Sequence, residues 1–321
     1  MLHRFLNQFI IILKGIAMGA ADVVPGVSGG TIAFVSGIYE ELIESIDKLD
    51  LKFFKIWKSE GFKRAWNHIN GKFLLSLFIG IAISIISLAK IIKWLLINEP
   101  VLLWSFFFGL VLASIIYIGK QITSWNIPIV IAMLLIAITS FFITNLEPFA
   151  TPDSNLYLFF CGFIAIIAMI LPGVSGAFIL LLLGAYETTL STVDDLFQSI
   201  ITGDFDLFKG AFLNFLTFSL GAILGLKVFS KALNWMFKNY KNLTLAILTG
   251  FMIGSLNKIW PWKETLSWRT NSKGLEVPFI EQNISPFSFD GDHQIVFALI
   301  LMAIGFTTIL LLERFSLKAK K

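Results

Sequence analysis

The sequence predicts an all-α polytopic membrane protein made of two inverted-topology repeats, each a re-entrant helical hairpin followed by three transmembrane helices. Three observations carry this fold class. Of 321 residues, 56% are hydrophobic and 14% charged, whereas a soluble domain carries about 25% charged residues. A sixteen-residue segment occurs twice in the chain. The basic residues crowd into the connections that an inverted arrangement places on one face.

The composition names the solvent. Mean hydropathy is +0.81. The 33 Phe suit lipid-facing helix surfaces, and the 9 Trp suit interfacial belts. The single cysteine, Cys161, excludes an intrachain disulfide. Near the N-terminus, Arg4, the apolar run Phe9 to Leu13 and the small residues Gly19 to Ala21 imitate a signal peptide. Lys14 interrupts that run and the segment recurs in mid-chain, so it is read as part of the fold rather than as a cleaved address.

The repeat sets the domain organisation. Residues 25–40, PGVSGGTIAFVSGIYE, align without a gap on residues 172–187, PGVSGAFILLLLGAYE, with nine of sixteen positions identical at an offset of 147. Gly15 meets Gly162 and Ala21 meets Ala168 at the same offset. Similarity resumes at an offset of 141, where Gly80 pairs with Gly221, Lys90 with Lys231, Trp94 with Trp235, Gly109 with Gly250 and Ser114 with Ser255. Two halves follow, 1–150 and 151–321.

A transmembrane helix needs about 20 mainly apolar residues. In the first half the spans are expected at 73–97, 101–118 and 127–145, after a hairpin at 8–43. In the second half they are expected at 211–234, 243–257 and 294–312, after a hairpin at 157–190. The hairpins are expected to break at Pro25-Gly26 and Pro172-Gly173, because proline disfavours helix in the residue before it and glycine frees the turn.

Charge decides between hairpins and simple crossings. If both PGVSG units re-enter, one face collects Arg4, the seven basic residues from Lys48 to Lys72, Lys120, Lys238, Lys241, Arg314, Lys318, Lys320 and Lys321. The other face holds only Lys209, Lys258, Lys263, Arg269 and Lys273, beside Asp194, Asp195, Asp204 and Asp206. If both units crossed, the basic loop 44–72 and the acidic loop 191–210 would share a side. The positive-inside rule therefore favours inverted hairpins with both termini cytoplasmic. Loop 44–72 interleaves its basic residues with Phe53, Phe54, Trp57, Phe62 and Trp66, the pattern of an amphipathic segment on an anionic leaflet. Nucleic acid is not an expected partner of so apolar a chain.

Irregular backbone at membrane depth must be buried in protein or line a wet cavity. Transporters use such breaks to present free amides to an anion. Ser28 is the expected N-cap of an apolar helix, Gly29 and Gly30 allow close approach to the backbone, and Thr31 adds a hydroxyl; Ser175 and Gly176 repeat the arrangement. These six are the candidate phosphate-binding residues. The bland alternative is that Pro-Gly only kinks a helix. Asp22 precedes the first break and has Met169 as its counterpart; an intramembrane carboxylate is a functional candidate, for coupling or cation binding, against the plainer role of capping amides. Glu40 and Glu187, each after a tyrosine, recur in both copies and are candidates for coupling or gating, or else solvated interfacial residues. Lys14, aligned with Cys161, is expected to snorkel or to pair with Asp22. Catalysis and metal binding are not expected: His3, His68 and His293 lie in loops or at span ends with no ligand spacing.

The segment Met-Gly-Ala-Ala-Asp-Val-Val-Pro-Gly-Val-Ser-Gly-Gly-Thr (18–31), with Leu-Pro-Gly-Val-Ser-Gly (171–176), resembles a bacterial membrane family once known only as a domain of unknown function and since identified with polyprenyl-phosphate transport, the PopT type. The resemblance covers nearly the whole chain. It implies a flippase of the bacterial cytoplasmic membrane that returns undecaprenyl phosphate to the cytoplasmic leaflet for cell-envelope polymer synthesis; the two broken segments add the expectation of alternating access around the hairpins. No cofactor is expected; protons or Na+ are the candidate coupling ions, membrane lipids are expected partners, and homo-oligomerisation is left open. The rival reading is an ion-coupled transporter of a small water-soluble anion, distinguished by a closed aqueous path in place of lateral lipid access. The second copy departs from the first at Met169, Ala177 and Phe178, which implies a less polar terminus.

Overall fold

A computed structural model describes residues 2–24, 27–146, 154–270 and 276–319. The chain is mostly helical. α1 (Leu2–Asp22) is followed by α2 (Gly29–Val35), which packs against it. α3 (Tyr39–Asp47), α4 (Leu51–Glu60) and α5 (Phe62–His68) precede the long helices α6 (Gly71–Asn98), α7 (Pro100–Gly119) and α8 (Ile127–Thr144). The pattern resumes with α9 (Asn155–Ile170), α10 (Gly176–Leu182) and α11 (Tyr186–Thr202), then α12 (Phe205–Asn239), α13 (Lys241–Ser255) and α14 (Ile295–Ala319). Between α13 and α14 lie a 3-10 turn, Leu256–Ile259, and an antiparallel pair, β1 (Lys263–Thr270) and β2 (Glu276–Asn283).

All six expected spans fall on helices, with ends displaced by several residues. Among the described residues, α6, α7, α8 and α12 are long and apolar enough to cross a membrane, while α9 and the apolar part of α14 are shorter. α13 has 15 residues, roughly 22 Å at 1.5 Å per residue, which is less than a bilayer core of about 30 Å. Large apolar side chains stand exposed along α6, α8 and α12, as at Ile86, Phe142 and Ile223, where lipid is the natural solvent.

Three segments differ from expectation. The loop 44–72 is largely helical: Asp50 caps α4 by accepting from the amides of Lys52 and Phe53, at 2.9 and 3.1 Å. Most of 191–210 is helical too, and α11 meets α10 at 109°. The all-α class is corrected by the β pair, which is seated through two tryptophans. The Trp260 and Trp262 indole nitrogens each donate at 2.9 Å, to the carbonyls of Ile284 and His293.

Four close helix pairs organise the bundle: α1 with α6, α9 with α12, α7 with α14 and α8 with α13. Each is sealed by glycine, as expected where close backbone packing replaces the hydrophobic effect. A Cβ on Gly80 would collide with the Ile12 carbonyl, and one on Gly221 with that of Phe159. A Cβ on Gly109 would strike the Met302 carbonyl, and one on Gly250 would lie 2.5 Å from that of Met133. The glycines that align in the sequence therefore perform the same task in corresponding pairs.

Replacing Gly221 by Ala is expected to push α12 from α9 and to destabilise the protein by about 1–3 kcal/mol. Gly210→Ala, where an added methyl meets nothing within 4 Å, serves as the control. Detergent-solubilised protein should melt lower for the first variant and unchanged or higher for the second; equal melting of both would refute the packing assignment.

Candidate functional site

The two breaks meet. A helix ends with carbonyls that lack intrahelical partners, and α9 ends at Ile170, where Pro172 prevents continuation. Side chains from α2 and the start of α3 supply what is missing. Ser28 Oγ lies 3.1 Å from the carbonyl oxygens of both Met169 and Leu171, donating its single proton to one of them. The Tyr39 hydroxyl donates to the Ile170 carbonyl at 3.1 Å. Thr31 Oγ1 accepts the Gly173 amide at 3.0 Å. Ser28, Thr31 and Tyr39 are all at most 2% exposed.

Glycine permits this approach. A Cβ on Gly30 would collide with the Ile170 carbonyl. Gly173 has φ +88°, the left-handed region that favours glycine, and a Cβ there would also lie 2.6 Å from Ser255 Oγ. Pro25 and Gly26, the first expected break, lie outside the described residues.

The start of α2 is already occupied. Ser28 accepts from the Gly30 amide at 3.1 Å, the expected N-cap. Asp22 Oδ1 accepts from the Gly29 amide at 2.6 Å, so the carboxylate adopts the capping position weighed from the sequence. The second terminus is less closed. Ser175 Oγ accepts from Phe178 at a long 3.5 Å; Ser175 is buried, Gly176 half-buried and Ala177 exposed.

In each copy a polar side chain on the first helix holds the end of the second. Lys14 Nζ donates to the Ser36 carbonyl at 2.6 Å. The Tyr157 hydroxyl donates to the Leu183 carbonyl at 2.7 Å, and Leu183 aligns with Ser36. Lys14 thus joins the two arms of the first copy. Glu40 forms an ion pair with Lys241 at 2.7 Å, both about half-exposed, a geometry that contributes about 0.2–1 kcal/mol. It faces this pair and not the junction. Glu187 lies in the first turn of α11, half-buried. No group of three or more His, Cys, Asp or Glu suited to a metal occurs among the described residues.

Tyr39 is the junction residue that reading it as interfacial overlooked. Its ring packs against Phe34 and Phe237, with centroids 4.9 and 6.0 Å away. The Tyr-Glu recurrence signalled a role without revealing that the tyrosine, rather than the glutamate, reaches the other copy.

Thr31→Val keeps the shape and leaves the Gly173 amide unsatisfied, a loss of about 1–3 kcal/mol. Tyr39→Phe leaves a carbonyl rather than an amide without its partner, and under-satisfied carbonyls are the better tolerated, so it should cost less. Unfolding in a denaturing detergent would rank them; a neutral Thr31→Val would refute the assigned bond.

Residues 18–277 match the family described as VCA0040-like, undecaprenyl phosphate translocase-like. The chain is 44% identical over 322 aligned positions to a polyprenyl-phosphate transporter of Vibrio cholerae serotype O1, covering 99% of this chain and 100% of that protein. It is 31% identical over 266 positions to a polyprenyl-phosphate transporter of Staphylococcus aureus, covering 79% and 87%. No solved structure matches it significantly.

Proposed function

Because the chain belongs to the undecaprenyl phosphate translocase-like family, we propose that it is a flippase for a polyprenyl phosphate, undecaprenyl phosphate being the expected carrier, working by alternating access at the junction of two re-entrant hairpins. The chain is a multi-pass membrane protein whose relatives are named as transporters. In this reading 1–150 and 151–321 are inverted repeats in the bacterial cytoplasmic membrane. Both termini are cytoplasmic, and the carrier returns to the cytoplasmic leaflet.

The observation that carries the proposal is the direct bonding of Ser28, Thr31 and Tyr39 to residues 169–173. Two breaks entering from opposite faces would meet in this way near the midplane, where substrate sites of inverted-repeat transporters lie. α2 and α10 have seven residues each, about 10 Å at 1.5 Å per residue, too short to cross and suited to turning back.

The junction is closed in this conformation, with the amides of Gly29 and Gly30 held by Asp22 and Ser28. Phosphate reaches Ser28, Gly29, Gly30, Thr31, Ser175 and Gly176 only when the two breaks part, so binding and opening are one event. Asp22 acts as an internal anion that phosphate displaces. Its protonation removes the like charge and links the cycle to a proton gradient; a bound Na+ is the alternative neutralising partner.

An apolar groove of about 410 Å³ between α9, α11 and α12 supports lateral lipid access over a closed aqueous path. Leu158, Ile166, Val193, Phe218 and Ile223 line it. A polyprenyl tail fits this lining, and a small water-soluble anion has no use for it.

The test is transport of labelled undecaprenyl phosphate in proteoliposomes. A Ser28→Ala, Ser175→Ala double variant, inserted normally, should transport at least about tenfold more slowly, each lost charge-assisted bond contributing on the order of 1.5 kcal/mol or more. Asp22→Asn should flatten the dependence on pH or Na+. Full transport by the double variant would remove the phosphate site from the junction, and an unchanged ion profile would remove Asp22 from coupling.

A further inference from the structure

The end of α13 carries a cationic cluster that the junction does not use. The 3-10 turn Leu256–Ile259 is fixed from both sides: Asn257 donates to Asn145 Oδ1 at 2.9 Å, and Asn283 donates to the carbonyl and Oδ1 of Asn257, both at 2.7 Å. The turn holds Lys258 with its Nζ 4.8 Å from the centroid of the Phe178 ring, over the first turn of α10. Lys263, at the start of β1, has its side chain 8% exposed. Its Nζ is 4.1 Å from the Trp104 centroid and 3.6 Å from Glu281 Oε2.

The cluster is unbalanced. Glu281 lies against Lys263, whereas among the described residues Lys258 has no carboxylate within 4.0 Å and rests on an aromatic face. Burial lowers both ammonium groups below the ordinary lysine range, Lys263 to about 8, with Glu281 opposing the shift. Two desolvated cations sharing one anion attract a second anion strongly, because charges interact more in a poorly polarisable surrounding. Placement points the same way. Phe178 donates its amide to Ser175 Oγ, so Lys258 stands beside the more open of the two termini. In the proposed orientation this is the non-cytoplasmic face, where the positive-inside rule gives lysine no topological task.

We propose that Lys258, backed by Lys263 and Glu281, is the reception site for a phosphate monoester at the mouth of the second break. The inference rests on the lipid-phosphate reading and assigns that reading its entry point. The headgroup meets Lys258 first and passes to Ser175 and Gly176 as the junction opens. Lys263 is a positioning residue: Glu281 and Trp104 hold it in place, and its charge reinforces that of Lys258. A purely structural lysine, fastening the β pair to α10, would predict lost stability without lost phosphate preference.

Binding separates these cases. Farnesyl phosphate, farnesol and inorganic phosphate would be titrated onto the full-length protein in nanodiscs, for wild type, Lys258→Gln, Lys258→Met and Lys258→Arg, with melting temperatures recorded. Wild type should prefer farnesyl phosphate to farnesol. Gln and Met should weaken farnesyl phosphate about tenfold or more, as expected for a charge-assisted contact, and leave farnesol unchanged. Arg should retain most of the affinity. Farnesyl phosphate bound equally well by wild type, Gln and Met would overturn the Lys258 site and leave the lipid-phosphate reading standing. Failure of wild type to distinguish farnesyl phosphate from farnesol would overturn both. Inorganic phosphate binding as tightly as farnesyl phosphate, and as dependent on Lys258, would support the site and overturn its lipid assignment.

Discussion

Backbone left unpaired at membrane depth is the constraint on which this architecture depends. Each orphaned amide or carbonyl in hydrocarbon costs several kcal/mol, and two Pro-Gly breaks create several at once. Those of the second copy are satisfied by the first: hydroxyls of Ser28, Thr31 and Tyr39 reach its carbonyls and an amide. The first copy's amides at Gly29 and Gly30 are held by its own Asp22 and Ser28. The second break therefore depends on the first, which closes its own helix start.

The surrounding bundle anchors that junction. Glycine-sealed pairs, α1 with α6 and α9 with α12, lie within the halves, while α7 with α14 and α8 with α13 join one half to the other. The two copies are thus joined by close backbone packing in two helix pairs and, at the junction, by side-chain hydrogen bonds. Lys227 and Asn234 of α12 add a polar contact to α3: Lys227 donates to the carbonyls of Ile46 and Asp47 at the end of that helix, and Asn234 donates to the Asp47 carboxylate at 2.7 Å.

Much of this was legible in the sequence because repetition exposes it. Ser28 and Ser175 of the repeated motif each cap a helix, and the aligned Gly80 and Gly221 seal corresponding helix pairs. The six apolar segments that form α6, α7, α8, α12, α13 and α14 were visible from hydropathy alone. What escaped has a physical reason in each case. α4 and α11 mix charged and apolar residues too evenly to stand out beside apolar spans, although Asp50 is an ordinary helix cap for α4. The β pair has bulges near Ser267 that spoil strict alternation. Tyr39 and Lys258 take their meaning from Ile170 and Phe178, far away in the chain, and no local pattern encodes such a meeting.

The repeat's departures are as informative as its identities. Where the first copy has Asp22, the second has Met169, and the backbone carbonyl of that methionine accepts from, or lies beside, the first copy's Ser28. Where the first copy has Gly30 and Thr31 buried, the second has Ala177 exposed and Phe178 under an ammonium. One terminus thus carries its own anion and is sealed, and the other lacks an anion and has a cation over its first turn. A phosphate moving from the second to the first would leave a cation and arrive where it must displace a carboxylate. In a symmetric pair the two positions would be equivalent; here Asp22 at one and Lys258 at the other make them unequal.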